Sequence, residues 1–375
     1  MHSQTFYGKR LAQARLWHNY SQDYLAGMLN ITKASISLYE KDLRIPKDNI
    51  ILEIASKLNF PPRFFFSKPE ENNHTPLSFR KKSITLKSSL DKALAYQQFA
   101  LRLFNELSNY VDFISNEFGF YNDDPLSLNN KIIENLTTDT RAAYKLDPIH
   151  DLTVFIENRG VIIINADLKS LSIDGFSCVT NGIPFIFINS DQSWDRYRFT
   201  LAHELGHIIL HSSLTDEMWS NKETRKIVEK QANYFASALL LPQESFKKDF
   251  LGISDNALLF IKKKWGLSLA AIVYRASELG LISEETKIYY FKHINTKGQR
   301  IQEKGSDFRQ RESPFILKNA LHDITEDTFI SKQMLIEDIA LPKNIIQQFI
   351  EDIAIDEAVP KRVFTIIKAE IDKKI

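Results

Sequence analysis

A single cysteine, Cys178, stands in a chain of 375 residues, which rules out an internal disulfide and fits a reducing, cytoplasmic setting. No apolar run approaches the ~18 residues of a membrane span, so no membrane association is expected. The opening stretch MHSQTFYGKRLAQARLW is amphipathic and does not show the basic region followed by an apolar core that marks a secretory signal. Net charge is scarce as well, because 48 Lys and Arg nearly cancel 47 Asp and Glu. The balance is uneven, however: residues 1–90 carry about +7, and this asymmetry points to a nucleic-acid-binding end. The length suggests two or three domains.

Within this ordinary composition one stretch carries chemistry. Trp194 to His211 reads WDRYRFTLAHELGHIILH and contains H-E-x-x-H at His203, Glu204 and His207. Two histidines four residues apart share one helix face, so both imidazoles can reach one metal ion. Glu204, beside His203, is placed to take a proton from a metal-bound water. Thr200, Leu201, Ala202, Leu205, Ile208, Ile209 and Leu210 make the rest of the helix apolar, and a buried polar trio needs partners such as a metal. Gly206 costs about 1 kcal/mol in a helix interior relative to Ala, which suggests a close backbone approach there. Histidines that are merely part of a surface or core are the alternative.

Residues 5–66 read as four or five short helices. Ser21 is a candidate N-cap for Gln22 to Met28 and Thr32 for Lys33 to Tyr39, joined by the turn Leu29-Asn30-Ile31, which is a helix-turn-helix pattern. Over about 60 residues this region resembles the phage-repressor-like, XRE-type helix-turn-helix family. The resemblance rests on Arg10-Leu11, Arg15, Ser21-Gln22, Leu25-Ala26, Ile31-Thr32, Ile36-Ser37, Glu40, Arg44 and Pro46. It implies double-stranded operator DNA as partner and a homodimer on two half-sites. Gln22 and Thr32 would touch backbone or bases, while Lys33, Ala34, Ser35 and Leu38 would face the groove. Ala34 and Leu38 are apolar where many such repressors carry hydrogen-bonding residues, so thymine methyl contacts and Lys33 would carry more of the readout.

Ser67 to Lys87 is polar and charged and reads as a linker, with Arg80-Lys81-Lys82 as a solvated charge run or a phosphate contact. Apolar spacing then predicts a long helix from Ser89 to Phe118 and another from Asn130 to Lys145. Val161 to Ile164, Gly175 to Val179 and Phe185 to Asn189 read as strands, with Asn181-Gly182 as a hairpin signal. PFIFINS is a candidate strand for aligning an extended substrate, or else an internal strand.

A catalytic tetrahedral site needs a third protein ligand. Glu229, in the predicted helix from Lys222 to Leu241, can return to the metal on an antiparallel helix, and Asn233 one turn later could orient a ligand. His211 continues the i, i+4 series but drifts around the helix, which favours a second role such as orienting a ligand or polarising substrate. Glu223 reads as a helix-start charge, and Asp216 and Glu217 as solvated.

Together RFTLAHELGHIILH, the preceding DGF at Asp174 to Phe176, the IFIN strand and E-x-x-A-N-x-F-A-x-x-L-L-x-P from Glu229 resemble the ImmA/IrrE family of intracellular metallopeptidases over roughly residues 140–290. Members accompany or are fused to helix-turn-helix regulators, and those implicated in regulation cleave a DNA-binding repressor of stress or mobile-element genes. The resemblance implies His203, His207 and Glu229 as ligands of zinc, with manganese as the alternative, and Glu204 as general base. Tyr197, His211 and Tyr234 are candidate oxyanion donors.

Ser268 is a candidate N-cap for an apolar helix ending near Leu279, and Arg275 on it could pair with a carboxylate. Lys287 to Arg311 reads as charged and strand-like before becoming loop. Helical spacing returns from Ser313, broken at Leu341-Pro342 and Val359-Pro360. The expected fold class is α+β: an all-helical N-terminal domain, then a zincin-like peptidase domain with a small sheet, then a mostly helical end. The segments expected are 1–68 for DNA binding, 69–148 as connector, 149–290 as peptidase and 291–375 without legible role. A regulator with a structural or sensory metal and no turnover is a competing reading, as is one component of a toxin and antitoxin-like pair.

Overall fold

The computed structural model describes residues 5–70, 78–79, 87–142, 148–168, 173–296, 311–350 and 364–366. The chain opens with α1 (Gly8–Trp17), α2 (Gln22–Met28), α3 (Lys33–Glu40) and α4 (Asp48–Leu58). Ser21 Oγ accepts the Tyr24 N–H and Thr32 Oγ1 accepts the Ser35 N–H, so both expected caps are formed. Leu11, Leu25, Ile36, Ile54 and Leu58 are wholly buried between these helices.

Beyond them come the two-residue strand β1 (Ser78–Phe79), the long helix α5 (Lys87–Leu107) and strand β2 (Val111–Phe113). The spacing predicted helix as far as Phe118, but α5 ends at Leu107. Ser108 Oγ donates to the Phe104 carbonyl at 2.8 Å, a side-chain bond of the kind that competes with the helical ladder. The β-branched Val111 then enters a strand.

The metal-motif region follows, built from α6 (Asn130–Ala142), α7 (Leu152–Glu157), β3 (Ile162–Ala166), β4 (Gly175–Thr180), β5 (Ile183–Asn189) and α8 (Trp194–His211). After α8 run α9 (Asp216–Ser220), α10 (Lys222–Leu240), α11 (Gln243–Asp249), α12 (Asp255–Trp265), α13 (Leu269–Glu278) and α14 (Glu284–Thr296). Asn181 and Gly182 both take positive φ, 52° and 81°, forming the tight turn that this dipeptide signals between β4 and β5. The sheet order is β1-β4-β5-β3, with β3 parallel to β5 and the other two pairs antiparallel. The PFIFINS strand is therefore internal, paired on both sides, and cannot take a substrate on its edge. Lys287 to Thr296 is helical where the sequence read as strand-like, because Ser283 Oγ caps the Thr286 N–H at 3.2 Å and Glu284 and Glu285 fill the first turn. The remainder of that stretch, 297–310, lies outside the described residues, as does Val359-Pro360.

Two glycines set the approach of these layers. A Cβ on Gly206 would lie 3.0 to 3.2 Å from the Phe235 side chain, so α8 and α10 meet there at close range. A Cβ on Gly175 would lie 2.9 Å from the Phe187 carbonyl oxygen and 2.9 Å from Thr200 Cγ2, which seats β4 directly on α8. Leu201, Leu205, Leu210, Phe235 and Leu239 fill the space between, all fully buried.

The chain ends with α15 (Ile316–Asp327), α16 (Lys332–Ile339), α17 (Lys343–Ile350) and β6 (Phe364–Ile366), which pairs antiparallel with β2. The break at Leu341-Pro342 falls between α16 and α17, where Ala340 takes a φ of 54°. By internal contacts one unit gathers Met1–Asn73, Lys81–Ile114 and Phe315–Ile375, and the other His74–Arg80 and Ser115–Pro314. The four sequence segments stand as a proposal about roles. Contacts draw other lines, since Trp17 of α1 packs on Tyr96 and Phe99 of α5 at 4.7 and 5.3 Å, and Tyr96 on Phe349 of α17 at 5.9 Å. Among the described residues no helix is long and apolar enough to cross a membrane.

Candidate active site and DNA-binding face

Helices α8 and α10 bring His203, His207 and Glu229 together, with one ligand atom from each inside a 4.8 Å cluster. The two Nε2 atoms are 3.1 Å apart, and the Glu229 oxygens lie 3.6 Å from His203 Nε2 and 3.7 Å from His207 Nε2. Two nitrogens bound tetrahedrally at about 2.0–2.1 Å from one zinc would stand about 3.3–3.4 Å apart, so the spacing suits such an ion with little adjustment. Both histidines are buried, so the convergent nitrogens and carboxylate have little water to replace a metal.

The outer nitrogens are also engaged. His203 Nδ1 lies 3.0 Å from Asn233 Oδ1, and His207 Nδ1 lies 3.0 Å from His211 Nδ1. His211 Nε2 in turn lies 3.0 Å from Gln231 Oε1. Gln231 is oriented by its own amide, which donates to the carbonyls of Pro125 at 2.9 Å and Leu128 at 3.1 Å. Its oxygen must then accept, which makes His211 Nε2 the donor and His211 Nδ1 the acceptor for an Nδ1–H of His207. Asn233 imposes the same tautomer on His203, so both ligand histidines turn an unprotonated Nε2 inward. Burial lowers the His211 pKa to about 4, partly offset by the bond to Gln231, so His211 is neutral at physiological pH.

Glu204 is buried, and Ser177 of β4 donates to its Oε2 at 2.8 Å. Sequence reasoning missed both Ser177 and Gln231. Neither carries a local pattern, because each meets its partner across 20 or more residues of chain.

Other candidates are not brought to the trio. Tyr197 stands two turns before Glu204, about 10 Å along the helix. Its hydroxyl is buried and donates to Asn165 Oδ1 at 3.2 Å, and burial pushes its pKa far up, so it is a core residue and not an oxyanion donor. The Tyr234 hydroxyl lies 3.1 Å from Glu134 Oε2, and Arg275, which was open to a carboxylate, holds that Glu134 at 2.7 Å. His211 serves His207 rather than facing the trio directly. Glu223 pairs with Lys226 at 2.9 Å in an exposed position.

On the N-terminal helices, Thr32, Lys33, Ala34 and Leu38 are exposed along α3, and Ser35 is half-buried. Lys33 Nζ pairs with Asp23 at 2.8 Å in the open. Gln22 is less available than its place suggests, since its amide donates to Glu40 Oε2 at 2.7 Å, beside the Arg15–Glu40 ion pair at 2.6 Å.

Two stretches of the chain match known families. Residues 11–65 match the helix-turn-helix family, and residues 156–277 match the family described as IrrE N-terminal-like domain, a peptidase family. The radiation response metalloprotease IrrE of Deinococcus radiodurans is 31% identical over 100 residues, which cover 25% of this chain and 30% of that protein. The similarity thus spans less than a third of the relative's length. A stretch that matches the helix-turn-helix family is thus followed by one that matches the IrrE N-terminal-like peptidase family.

Proposed function

We propose that the protein is a regulatory metallopeptidase in the cytoplasm. Its helix-turn-helix domain binds operator DNA as a homodimer, and its zinc-dependent endopeptidase cleaves a transcriptional repressor, or this chain itself, to control stress or mobile-element genes. The observation that carries the reading is the convergence of His203, His207 and Glu229 with Glu204 alongside. Three nitrogen and oxygen ligands fit a catalytic site with a position left for water, whereas structural zinc sites are usually closed by a fourth protein ligand. The relative's printed name, a radiation response metalloprotease, supports a stress-linked role.

Zinc, or manganese in its place, would supply a polarised scissile carbonyl and a water of lowered pKa. Glu204 takes the proton of the attacking water and delivers it to the amine nitrogen as the C–N bond breaks. Ser177 keeps the Glu204 carboxylate oriented by donating to one of its oxygens. Asn233 and His211 hold the two imidazoles in the tautomer that ligation requires.

The test compares new protein N-termini in cells expressing wild type and Glu204→Gln, with and without DNA damage. A cut made only by wild type supports the peptidase and names its substrate. Equal cutting by Glu204→Gln refutes the assigned base.

A further inference from the structure

A peptidase that acts on proteins must hold its substrate extended, and an unpaired sheet edge is the usual means, since its free N–H and C=O groups take an added strand. In this sheet β5 is paired on both sides and β4 is the strand at the active-site end. β4 lies against the candidate base twice over. Ser177 Oγ reaches Glu204 Oε2 at 2.8 Å, and Gly175 allows the backbone to sit against Thr200 and Glu204. The outer edge of β4 is not bare, however. Ser78 and Phe79 pair with it antiparallel, Ser78 opposite Ser177 and Phe79 opposite Phe176.

These two residues belong to the polar stretch that follows the DNA-binding helices. By contacts Ser78 and Phe79 group with the unit that holds β4 and α8. Ser78 and Phe79 lie on the strand that holds the candidate base.

We infer that the outer edge of β4 is the peptide-binding edge of the peptidase and that this chain's own segment at Ser78–Phe79 occupies it as an intramolecular competitor of substrate. The inference rests on the peptidase reading of the site. Its occupant is fixed by the observed pairing and by continuity of the chain. One strand spacing, about 4.8 Å, separates the β1 backbone from the strand bearing Ser177. A two-residue strand offers few hydrogen bonds, so the contact is displaceable. Tethering nevertheless sets its effective concentration in the millimolar range, and a free peptide must overcome that.

The experiment uses the full chain carrying Glu204→Gln, so that binding is read without turnover, and a fluorescein-labelled peptide of residues 72–84 as probe. Anisotropy is compared for this protein, for the same protein with Phe79→Pro, and for one with residues 75–80 replaced by Gly and Ser at constant length. Both changes should tighten peptide binding at least tenfold. Hydrogen exchange at the amide within Phe176–Ser177 that points to Ser78–Phe79 should quicken at least tenfold in both, and the added peptide should restore protection. Equal peptide binding in all three proteins, or equal exchange, overturns the inference. Protection of the β4 amides that rises with protein concentration would assign the strand to a second copy and overturn its intramolecular form. A protein that binds the peptide in this pattern but makes no new N-termini in cells would keep the occupied edge and lose the peptidase. The converse result would keep the peptidase and lose the edge.

Discussion

Ser177 Oγ stands 2.8 Å from Glu204 Oε2, so a strand steadies the candidate base that the helix carries. A hydrogen bond to a carboxylate is worth about 1.5–3 kcal/mol, and part of that is lost again to relaxation. Ser177→Ala should lower kcat about tenfold while leaving zinc affinity unchanged. The check is a turnover assay on the identified substrate together with a zinc titration. A drop in zinc affinity equal to the drop in kcat would show that Ser177 only supports the fold.

Gln231→Leu should weaken zinc binding by about 10 to 100-fold, the usual cost of losing an outer partner of a ligand histidine. Competition with a chromophoric chelator measures it. Nitrogen NMR of the metal-free protein gives a second reading, since His207 should hold its proton on Nδ1 in wild type and lose that preference in the variant. An unchanged tautomer would break the relay from Gln231 through His211.

Gly206→Ala sets two effects against each other. Alanine gains about 1 kcal/mol of helix propensity, whereas its Cβ would meet Phe235 at 3.0 to 3.2 Å. Overpacking typically costs 1–3 kcal/mol, so a net loss of about 1 kcal/mol is expected in chemical denaturation. Adding Phe235→Leu should recover part of it. Gly175→Ala should cost more, because one of its obstacles is the Phe187 carbonyl oxygen, which cannot swing aside.

Zinc at a hundred times its dissociation constant should stabilise the peptidase unit by about 2.7 kcal/mol. His203→Ala should remove that stabilisation, and thermal melts with and without chelator measure both. An equal gain in His203→Ala would place the ion elsewhere.

Lys33→Ala should weaken binding to duplex DNA, narrow the preference among sequences and reduce the slope of log K against log salt by about 1. Anisotropy at several salt concentrations gives the slope. No change would leave Lys33 paired with Asp23 and away from phosphate.

Elements with local signals were legible in the sequence. The capped helices at Ser21 and Thr32, the turn at Asn181-Gly182 and the span of α8 all follow from residues within a few positions of one another. The positions His203, His207 and Glu229 follow partly from helix periodicity, and the structure brings them to one point. What could not be read depends on partners distant in sequence. Ser177 acquires meaning only when β4 is laid on α8, and Gln231 only when the carbonyls of Pro125 and Leu128 fix its amide. Periodicity also ran past the end of α5, because nothing in the apolar spacing records the hydrogen bond of Ser108 that helps to stop it.

The DNA-binding helices are stitched to both later parts of their unit. Glu70, held by Arg10 at 2.9 Å, lies 3.5 Å from Arg102 of α5, Gln13 reaches Gln98 at 2.6 Å, and Trp17 lies on Tyr96, which itself packs on Phe349 near the other end of the chain. Severing the backbone at Ser78–Phe79 would therefore leave two polypeptides and one particle. The N-terminal fragment would stay clamped to α5 by the aromatic stack, the Gln13–Gln98 hydrogen bond and the Glu70–Arg102 ion pair, and would come away only under denaturing conditions. Such a cut is a nick and not a release: it would free the sheet edge of its tether while the helix-turn-helix kept its seat.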